Sequence, residues 1–310
     1  MKREILEKLL PVKPSEKFWE RFHSYPIDLI PITKKERDYC ILEIHKKLFD
    51  ENIIKSGPSR QKDWLIGWGE NLNNFIKTND PKDLIPKYYN KYKFIRFDSE
   101  FFKFKKDNTE LNTVRILINY IADIYLNKSN SIIELGAGTC HHLYELSKIL
   151  NNETNFFALD WSESTTKISN RLKDKKHIKN IDSFKFDFFN PEWNDNIKIP
   201  PKNESIVFSF AALEQVGKDF NKLFNFINET IKPKYVVHLE PIGELLPEDE
   251  LLSYLSKKYF LKRNYLNGYL EFLRRKEKGQ EIEIQVESRM PFGSLFIEGY
   301  SLVVWKPKRK

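Results

Sequence analysis

The sequence predicts an α/β fold: a doubly wound, mostly parallel seven-stranded sheet, closed by an antiparallel C-terminal hairpin and preceded by a helical region over residues 1–127. Three observations carry this expectation. The apolar run Ser131-Ile132-Ile133-Glu134-Leu135 enters a turn whose glycines, Gly136 and Gly138, are spaced G-x-G before a helical pattern begins. From there strand and helix patterns alternate with short links, which argues a parallel sheet with helices on both faces. The chain then ends in two strand-like stretches flanking a turn region around Pro291-Phe292-Gly293-Ser294, so the last pair must run antiparallel.

Taken in order, residues 1–127 hold amphipathic stretches from Ser15 to Phe22, Lys34 to Phe49 and Asp63 to Ile76. Prolines at 11, 14, 26, 31, 58, 81 and 86 break them. An aromatic connector, Tyr88-Tyr89-Asn90-Lys91-Tyr92-Lys93-Phe94-Ile95-Arg96-Phe97, leads into a helix from about Glu110 to Leu126. The second region, 128–310, reads as strand 131–135, helix 140–150, strand 155–160, helix 163–173, strands 183–187 and 205–210, helix 218–231, strand 234–240 and helix 247–258. Tyr259 to Gly279 reads as an inserted helical segment, and strands 281–287 and 301–305 form the hairpin. No internal repeat is visible.

At 310 residues and 40% hydrophobic content the chain can bury a large core. Its first eight residues are charged throughout and no stretch approaches 18 uninterrupted apolar residues, so neither a signal peptide nor a membrane span is expected, and the expected location is the cytoplasm. Cys40 and Cys140 lie too far apart in sequence to suggest a disulfide framework or a cysteine-based zinc site. The net charge of +8 is diffuse; it permits an acidic substrate or nucleic acid without demanding either. The terminal cluster Lys306-Pro307-Lys308-Arg309-Lys310 reads as a solvated end.

Glycine at 136 and 138 lets the backbone adopt positive φ and lets a ligand approach the main chain, so the loop reads as a nucleotide-cofactor loop. A dinucleotide fingerprint would carry a third glycine where His141 stands, and no Gly-Lys-Ser or Gly-Lys-Thr follows to make a phosphate loop. Downstream, Asn155-Phe156-Phe157-Ala158-Leu159-Asp160 ends in a carboxylate 22 residues past Gly138. An acid about 20 residues on, at the end of the second strand, is placed to accept hydrogen bonds from both ribose hydroxyls.

Glu134-Leu135-Gly136-Ala137-Gly138-Thr139 resembles the first motif of class I S-adenosylmethionine (SAM) dependent methyltransferases. The resemblance implies S-adenosyl-L-methionine as cofactor, with S-adenosyl-L-homocysteine as product, and a loop wrapped around the methionine end with Glu134 two places before the first glycine. It further implies that Asp187 accepts a hydrogen bond from the adenine amino group with Phe188 against the ring. Trp161, beside the ribose acid, and Ser209, ending the fourth strand, join the cofactor set. A closing antiparallel hairpin is what separates this arrangement from a dinucleotide-binding sheet. Helices before the first strand, in such enzymes, cover the cofactor and shape the substrate pocket. Cys140 and His141 stand where many relatives have another glycine.

Ligands of open α/β sheets sit beyond the carboxyl ends of the strands, so the transferred methyl should face the residues after the fourth and fifth strands. Displacement at a sulfonium already has an activated leaving group, which leaves alignment and, for a hydroxyl or ammonium acceptor, proton removal to the protein. Glu214, His238 and Glu240 are the base candidates there. Each also has a structural reading: a carboxylate favoured at a helix start, a satisfied core histidine, a local backbone acceptor. Arg263, Tyr265 and Arg289 are the substrate candidates, the two arginines offering cations to an acidic acceptor. His141 and His142 point about 100° apart on a helix and make a poor pair of metal ligands, so no metal is expected.

Nucleic acid is not the expected acceptor. Asn190-Pro191-Glu192-Trp193 has one proline and follows the third strand, whereas the amino-directed DNA enzymes carry their Asn- or Asp-Pro-Pro-aromatic motif after the fourth. Trp64 through Glu70, Leu159-Asp160-Trp161-Ser162, Ala212-Leu213-Glu214-Gln215 and His238-Leu239-Glu240-Pro241 resemble bacterial methyltransferases, some linked with cell-surface polysaccharide pathways. The expectation is therefore methyl transfer to an O or N atom of a small molecule or surface-glycan precursor. A catalytically silent member of the fold, binding a partner through its helical region, is the alternative.

Overall fold

A computed structural model describes residues 1–89, 91–193 and 200–308. Asn90 of the connector and Arg309 and Lys310 of the basic tail lie outside the described residues. The strands of the large sheet are β4 (Ser131–Leu135), β5 (Asn155–Asp160), β6 (Ile181–Lys185), β7 (Ile206–Phe210), β8 (Tyr235–Glu240), β9 (Ile282–Arg289) and β11 (Ser301–Pro307). They lie in the order β6-β5-β4-β7-β8-β11-β9. The first five are parallel, while β11 runs antiparallel to both β8 and β9. The chain turns back on itself at β4, which has β5 on one side and β7 on the other, and this reversal opens a crevice at the carboxyl ends of the strands.

All five residues of β4 and of β7 are buried, as continuous apolar runs covered on both faces must be. Strand alternation sends Ile132, Phe156, Phe208 and Val237 into a core shared with α2 (Glu16–Phe22) and α5 (Thr109–Ile124). It sends Ile133, Phe157, Val207 and Val236 to the opposite face, against α8 (Asn221–Asn225) and α10 (Tyr269–Lys278). The remaining helices are α1 (Arg3–Leu9), α3 (Lys34–Leu48), α4 (Gln61–Thr78), α6 (His141–Ser147), α7 (Glu163–Asp174) and α9 (Leu251–Arg263). Thr33 and Glu36 cap α3 reciprocally, each side chain taking the other's backbone N–H, which fixes where that helix begins.

The N-terminal region is not purely helical. It contributes β1 (Ile30–Pro31), β2 (Phe94–Phe97) and β3 (Glu100–Lys103) to a second, antiparallel sheet of order β1-β3-β2-β10. Strand β10 (Phe292–Gly293) comes from the segment expected to be only a turn, and it pairs Phe292 with Phe97 and Gly293 with Arg96. A Cβ at Gly293 would stand 2.2 Å from the carbonyl oxygens of Ile297 and Glu298, so glycine alone fits this seam. The connector from Tyr88 to Phe97 thus ends in a strand that ties the N-terminal region to the C-terminal hairpin.

Several boundaries differ from expectation. The third strand is Ile181–Lys185 rather than 183–187, which leaves Asp187 in the loop beyond it. The expected helix 218–231 forms as the short α8 followed by a π-helical turn (Phe226–Ile231), and a 3₁₀ turn (Leu213–Val216) precedes it. The helix expected at 247–258 runs from Leu251 to Arg263, so the first five residues of the expected insertion 259–279 are its last turn. The first-motif helix ends at Ser147 rather than 150.

Candidate active site

The crevice beside β4 is a narrow cleft enclosing about 760 Å³, including its open mouth. Its floor is the glycine loop, and its walls are aromatic: Trp161, Phe186, Phe188, Phe189 and Phe210 from the large sheet, with Trp64, Trp68 and Tyr88 from the N-terminal region. Neither lysine nor arginine is among its lining residues.

Gly136 and Gly138 both have positive φ, at 74° and 49°. A Cβ on Gly136 would lie 2.4 Å from the Cβ of Ala212, so this glycine lets the loops after β4 and β7 touch. A Cβ on Gly138 would lie 3.0 Å from the Trp68 ring, which rests on the loop and is stacked on Trp64 at 5.1 Å. The close approach that the glycines permit is therefore made, in part, by the protein itself. Gly138 N–H donates to Asp160 Oδ2 at 2.9 Å and Ser162 N–H donates to Oδ1 at 2.8 Å. Each carboxylate oxygen keeps a further lone pair for a ligand hydroxyl. Burial pushes Asp160 up to about 6, against the pull of those two backbone donors and of Thr165.

Glu134 is buried beneath the loop, with Oε1 2.7 Å from His142 Nδ1. Burial raises its pKa and His142 opposes the rise. Phe188 and Trp161 line the cleft; Asp187 does not, and its Oδ1 accepts Phe189 N–H at 2.9 Å to close the turn that presents Phe186, Phe188 and Phe189. Trp193 of the Asn-Pro-Glu-Trp run packs 5.3 Å from Phe226 in the core.

Four expected site residues are committed elsewhere. Ser209 is buried and donates to Glu240 Oε1 at 2.7 Å, with His238 Nδ1 at 3.0 Å, so its hydroxyl faces the core and not the cleft. His238 lies between Tyr269 Oη, 2.9 Å from its Nε2, and the indole N–H of Trp305, which donates to the same nitrogen at 3.3 Å; burial pushes it down to about 3. It is a neutral core histidine. Glu240 accepts backbone N–H groups of Ala212 and Leu213 at 3.1 Å and of Glu214 at 3.2 Å, and so caps the 3₁₀ turn after β7. Burial raises it to about 7. Arg289 bonds Ser99 Oγ at 2.6 Å and pairs with Glu298 at 3.3 Å near the second sheet, where it joins the β9 end to the β2–β3 turn.

Glu214 is the base candidate that stays beside the cleft. It accepts from Gln215 Nε2 at 3.0 Å, and Gln215 lines the cleft. Burial, reinforced by the Glu240 charge, pushes Glu214 up to about 8 despite Arg263, Gln215 and Tyr265. Arg263 and Tyr265 are thus brought together, but on Glu214: the Arg263 guanidinium lies 5.3 Å from the Tyr265 ring and also bonds the Ile54 carbonyl.

Sequence reasoning assigned no role to the residues that complete the cleft. Trp64 and Trp68, four apart on α4 and hence on one helix face, were visible as a pair, but nothing in the sequence aimed that face at the glycine loop. His141 and His142 also line the cleft. Among the described residues no group of three or more His, Cys, Asp or Glu side chains could hold a metal ion, and no helix is long and apolar enough to cross a membrane.

No protein-family model matches the chain, and no curated protein does. Solved structures resemble it at low identity. A SAM-dependent methyltransferase from Aquifex aeolicus is 14% identical over 75% of this chain and 97% of its own, with a TM-score of 0.41. The O-methyltransferase TomG from Streptomyces achromogenes, in complex with SAM, is 11% identical over 90% of this chain and 100% of its own, also at 0.41. An O-methyltransferase from Bacillus cereus, in complex with SAH, is 11% identical over 77% and 90%, at 0.40. At such scores the likeness adds nothing to the strand order given above.

Proposed function

We propose that the protein is a SAM-dependent methyltransferase acting on an O or N atom of a small molecule, with residues 128–310 holding the cofactor and residues 1–127 covering it. The observation that carries this reading is the junction of Gly138 N–H with Asp160 Oδ2 at 2.9 Å, beneath an aromatic-walled cleft at the point where the sheet reverses. There Asp160 has lone pairs left for a ribose diol. Phe188, with Phe186 and Trp161, offers ring faces to a purine.

When bound, SAM supplies a methyl group on an activated sulfonium. The protein's part is to align an acceptor in line with it, exclude water and handle one proton. The aromatic walls serve the first two tasks. Glu214 is the residue we assign to the third: its conjugate acid is favoured below pH 8, so it accepts a proton readily once ionised. Arg263 and Tyr265 hold that carboxylate and are assigned to positioning it.

A neutral or weakly basic acceptor suits this cleft better than an acidic one, because Arg289 is paired far from it and Arg263 faces Glu214. A neutral glycan precursor remains within that class, and the bacterial polysaccharide setting remains part of the proposal. The test is calorimetric titration with S-adenosylhomocysteine on the wild type and on Asp160→Ala. Micromolar binding abolished by the substitution supports the reading, and turnover is then sought with neutral sugars, phenols and amines. No heat at millimolar ligand refutes it. Binding with no turnover on any acceptor favours the silent, partner-binding alternative.

A further inference from the structure

Twelve large hydrophobic side chains are exposed among the described residues, and seven of them stand on two neighbouring helices and the loop that ends beside them. Tyr39, Leu42 and Phe49 belong to α3 and its cap, and Leu251, Tyr254 and Leu261 to α9. Ile54 lies in the loop after α3, and each of the seven is 44–72% exposed. The two helices pack side by side and run the same way. Toward their starts Cys40 and Leu252 share a buried cluster, and past the end of α3 the Ser56 N–H donates to the Arg263 carbonyl, at the end of α9, at 2.7 Å. Cys40 and Ile44 turn inward on one helix, Leu252 and Leu255 on the other, so both outer faces are open to solvent.

A surface helix ordinarily turns polar residues of both charges outward. Here the outward stripe of α3 reads Lys35, Tyr39, Leu42, Lys46 and Phe49, at alternating steps of four and three, and that of α9 reads Leu251, Tyr254, Lys258 and Leu261. Each stripe mixes apolar side chains with lysine and holds no carboxylate. Over their lengths α3 carries five basic and three acidic side chains, and α9 four basic and none acidic. Lys46 pairs with Glu43 on the flank of α3 at 2.8 Å, while Lys258 lies over the Tyr254 ring at 5.0 Å, its stem covering apolar surface and its head free. A second copy of the chain would bring lysine stripes against lysine stripes, which repel. An acidic protein would have to intersperse anions and apolar groups in this one register. A bilayer offers anions over an apolar layer across any area, and tyrosine, with an apolar ring and a polar tip, suits the boundary between the two.

We propose that the outer face of α3 and α9 docks on an anionic membrane surface, with Leu42, Phe49, Leu251 and Leu261 entering the acyl boundary and Lys35, Lys46 and Lys258 meeting the headgroups. The chain then lies on the membrane without crossing it. Arg263, at the end of this face, also acts on Glu214, so the docked surface adjoins the wall of the cleft. The proposal stands on the two helices alone and does not depend on the cofactor reading.

The test floats the full chain with vesicles of phosphatidylcholine alone and of phosphatidylcholine mixed with phosphatidylglycerol. A lysine near an anionic surface is worth about a five-fold gain in binding, so the three lysines should favour the mixed vesicles by about 30-fold or more. The double variant Phe49→Ser with Leu261→Ser should lose about 10-fold or more of that binding. Lys35→Glu with Lys258→Glu should remove most of the difference between the two kinds of vesicle. All four side chains are exposed, and urea midpoints at the wild-type value check that both variants fold. No binding of the wild type to the mixed vesicles, or binding that neither double variant weakens, overturns the proposal. A dimer in sedimentation velocity that Phe49→Ser with Leu261→Ser dissociates, together with no vesicle binding, overturns it and assigns the face to a second copy of the chain.

Discussion

Gly136→Ala isolates the contact on which the floor of the cleft depends. The new Cβ would meet Ala212 Cβ at 2.4 Å, where carbon atoms in contact normally stand about 3.5–4.0 Å apart, so the loops after β4 and β7 must separate by ~1 Å or more. Overpacking of this kind costs about 1–3 kcal/mol. The backbone adds its own term, since φ is 74° and an alanine there costs a further ~1–2 kcal/mol. The expected loss is about 2–5 kcal/mol, a large share of the ~5–15 kcal/mol by which native domains are stable. Ala212→Gly removes the contacted methyl; the next atom, Phe188 Cζ at 3.5 Å, is in ordinary contact. The double variant should therefore recover about 1–3 kcal/mol relative to the sum of the singles and keep the φ penalty. Urea unfolding followed by tryptophan fluorescence reads all four proteins. A Gly136→Ala loss below about 0.5 kcal/mol, or additive single effects, would refute the reasoning.

Three further outcomes are expected. Glu240→Ala leaves the N–H groups of Ala212, Leu213 and Glu214 without their acceptor and should cost about 3–5 kcal/mol, with Glu240→Gln intermediate; equal urea midpoints for all three would show that Glu240 is not the cap. His238 is held down to about 3 against an ordinary 6.5, so stability should fall as pH drops from 6.5 toward 3, by up to ~5 kcal/mol at about 1.4 kcal/mol per pH unit. His238→Gln should flatten that acid limb, and an unchanged limb would count against burial of the neutral ring. Glu214 carries the opposite sign: its value is raised from 4.5 to about 8, so stability should decline as pH rises from 4.5 through 8, with a ceiling of ~5 kcal/mol. Glu214→Gln should hold urea midpoints steadier between pH 5 and 9, and an identical slope would assign the alkaline loss to Glu240 instead.

The large sheet was legible because its strands obey local rules. Ser131–Leu135, Asn155–Asp160 and Tyr235–Glu240 are apolar runs bounded by turn residues, and their order follows once a parallel sheet must switch direction and end in a hairpin. The second sheet was not legible. Strand β10 is two residues long and gains its partner from Phe97 and Arg96, nearly 200 positions away, which no window of sequence can report. The 3₁₀ turn over Leu213–Val216 was missed for the same reason: Glu240, on another strand, supplies the acceptors that stabilise it.

The cleft divides along the same line. Residues whose place is set by backbone geometry were readable: Gly136 and Gly138 by their spacing, Asp160 by its distance from them. Residues whose role depends on what faces them were not. A carboxylate or imidazole at a strand end looks alike in sequence whether it points into solvent, a ligand or a neighbouring turn. In this fold the turn after β7 leaves three N–H groups pointing inward, and Ala211 there has φ at 49°, a conformation that alanine adopts only when its surroundings hold it. Glu240 is the side chain positioned to hold it, and His238 is drawn into the same network through Ser209. The polar residues that the chemistry seemed to need after the fourth and fifth strands are thus absorbed in building the wall of the cleft. Buried polar atoms without a hydrogen-bond partner do occur at or beside the cleft, on Glu134, His141, His142, Glu214 and Gln215 among them.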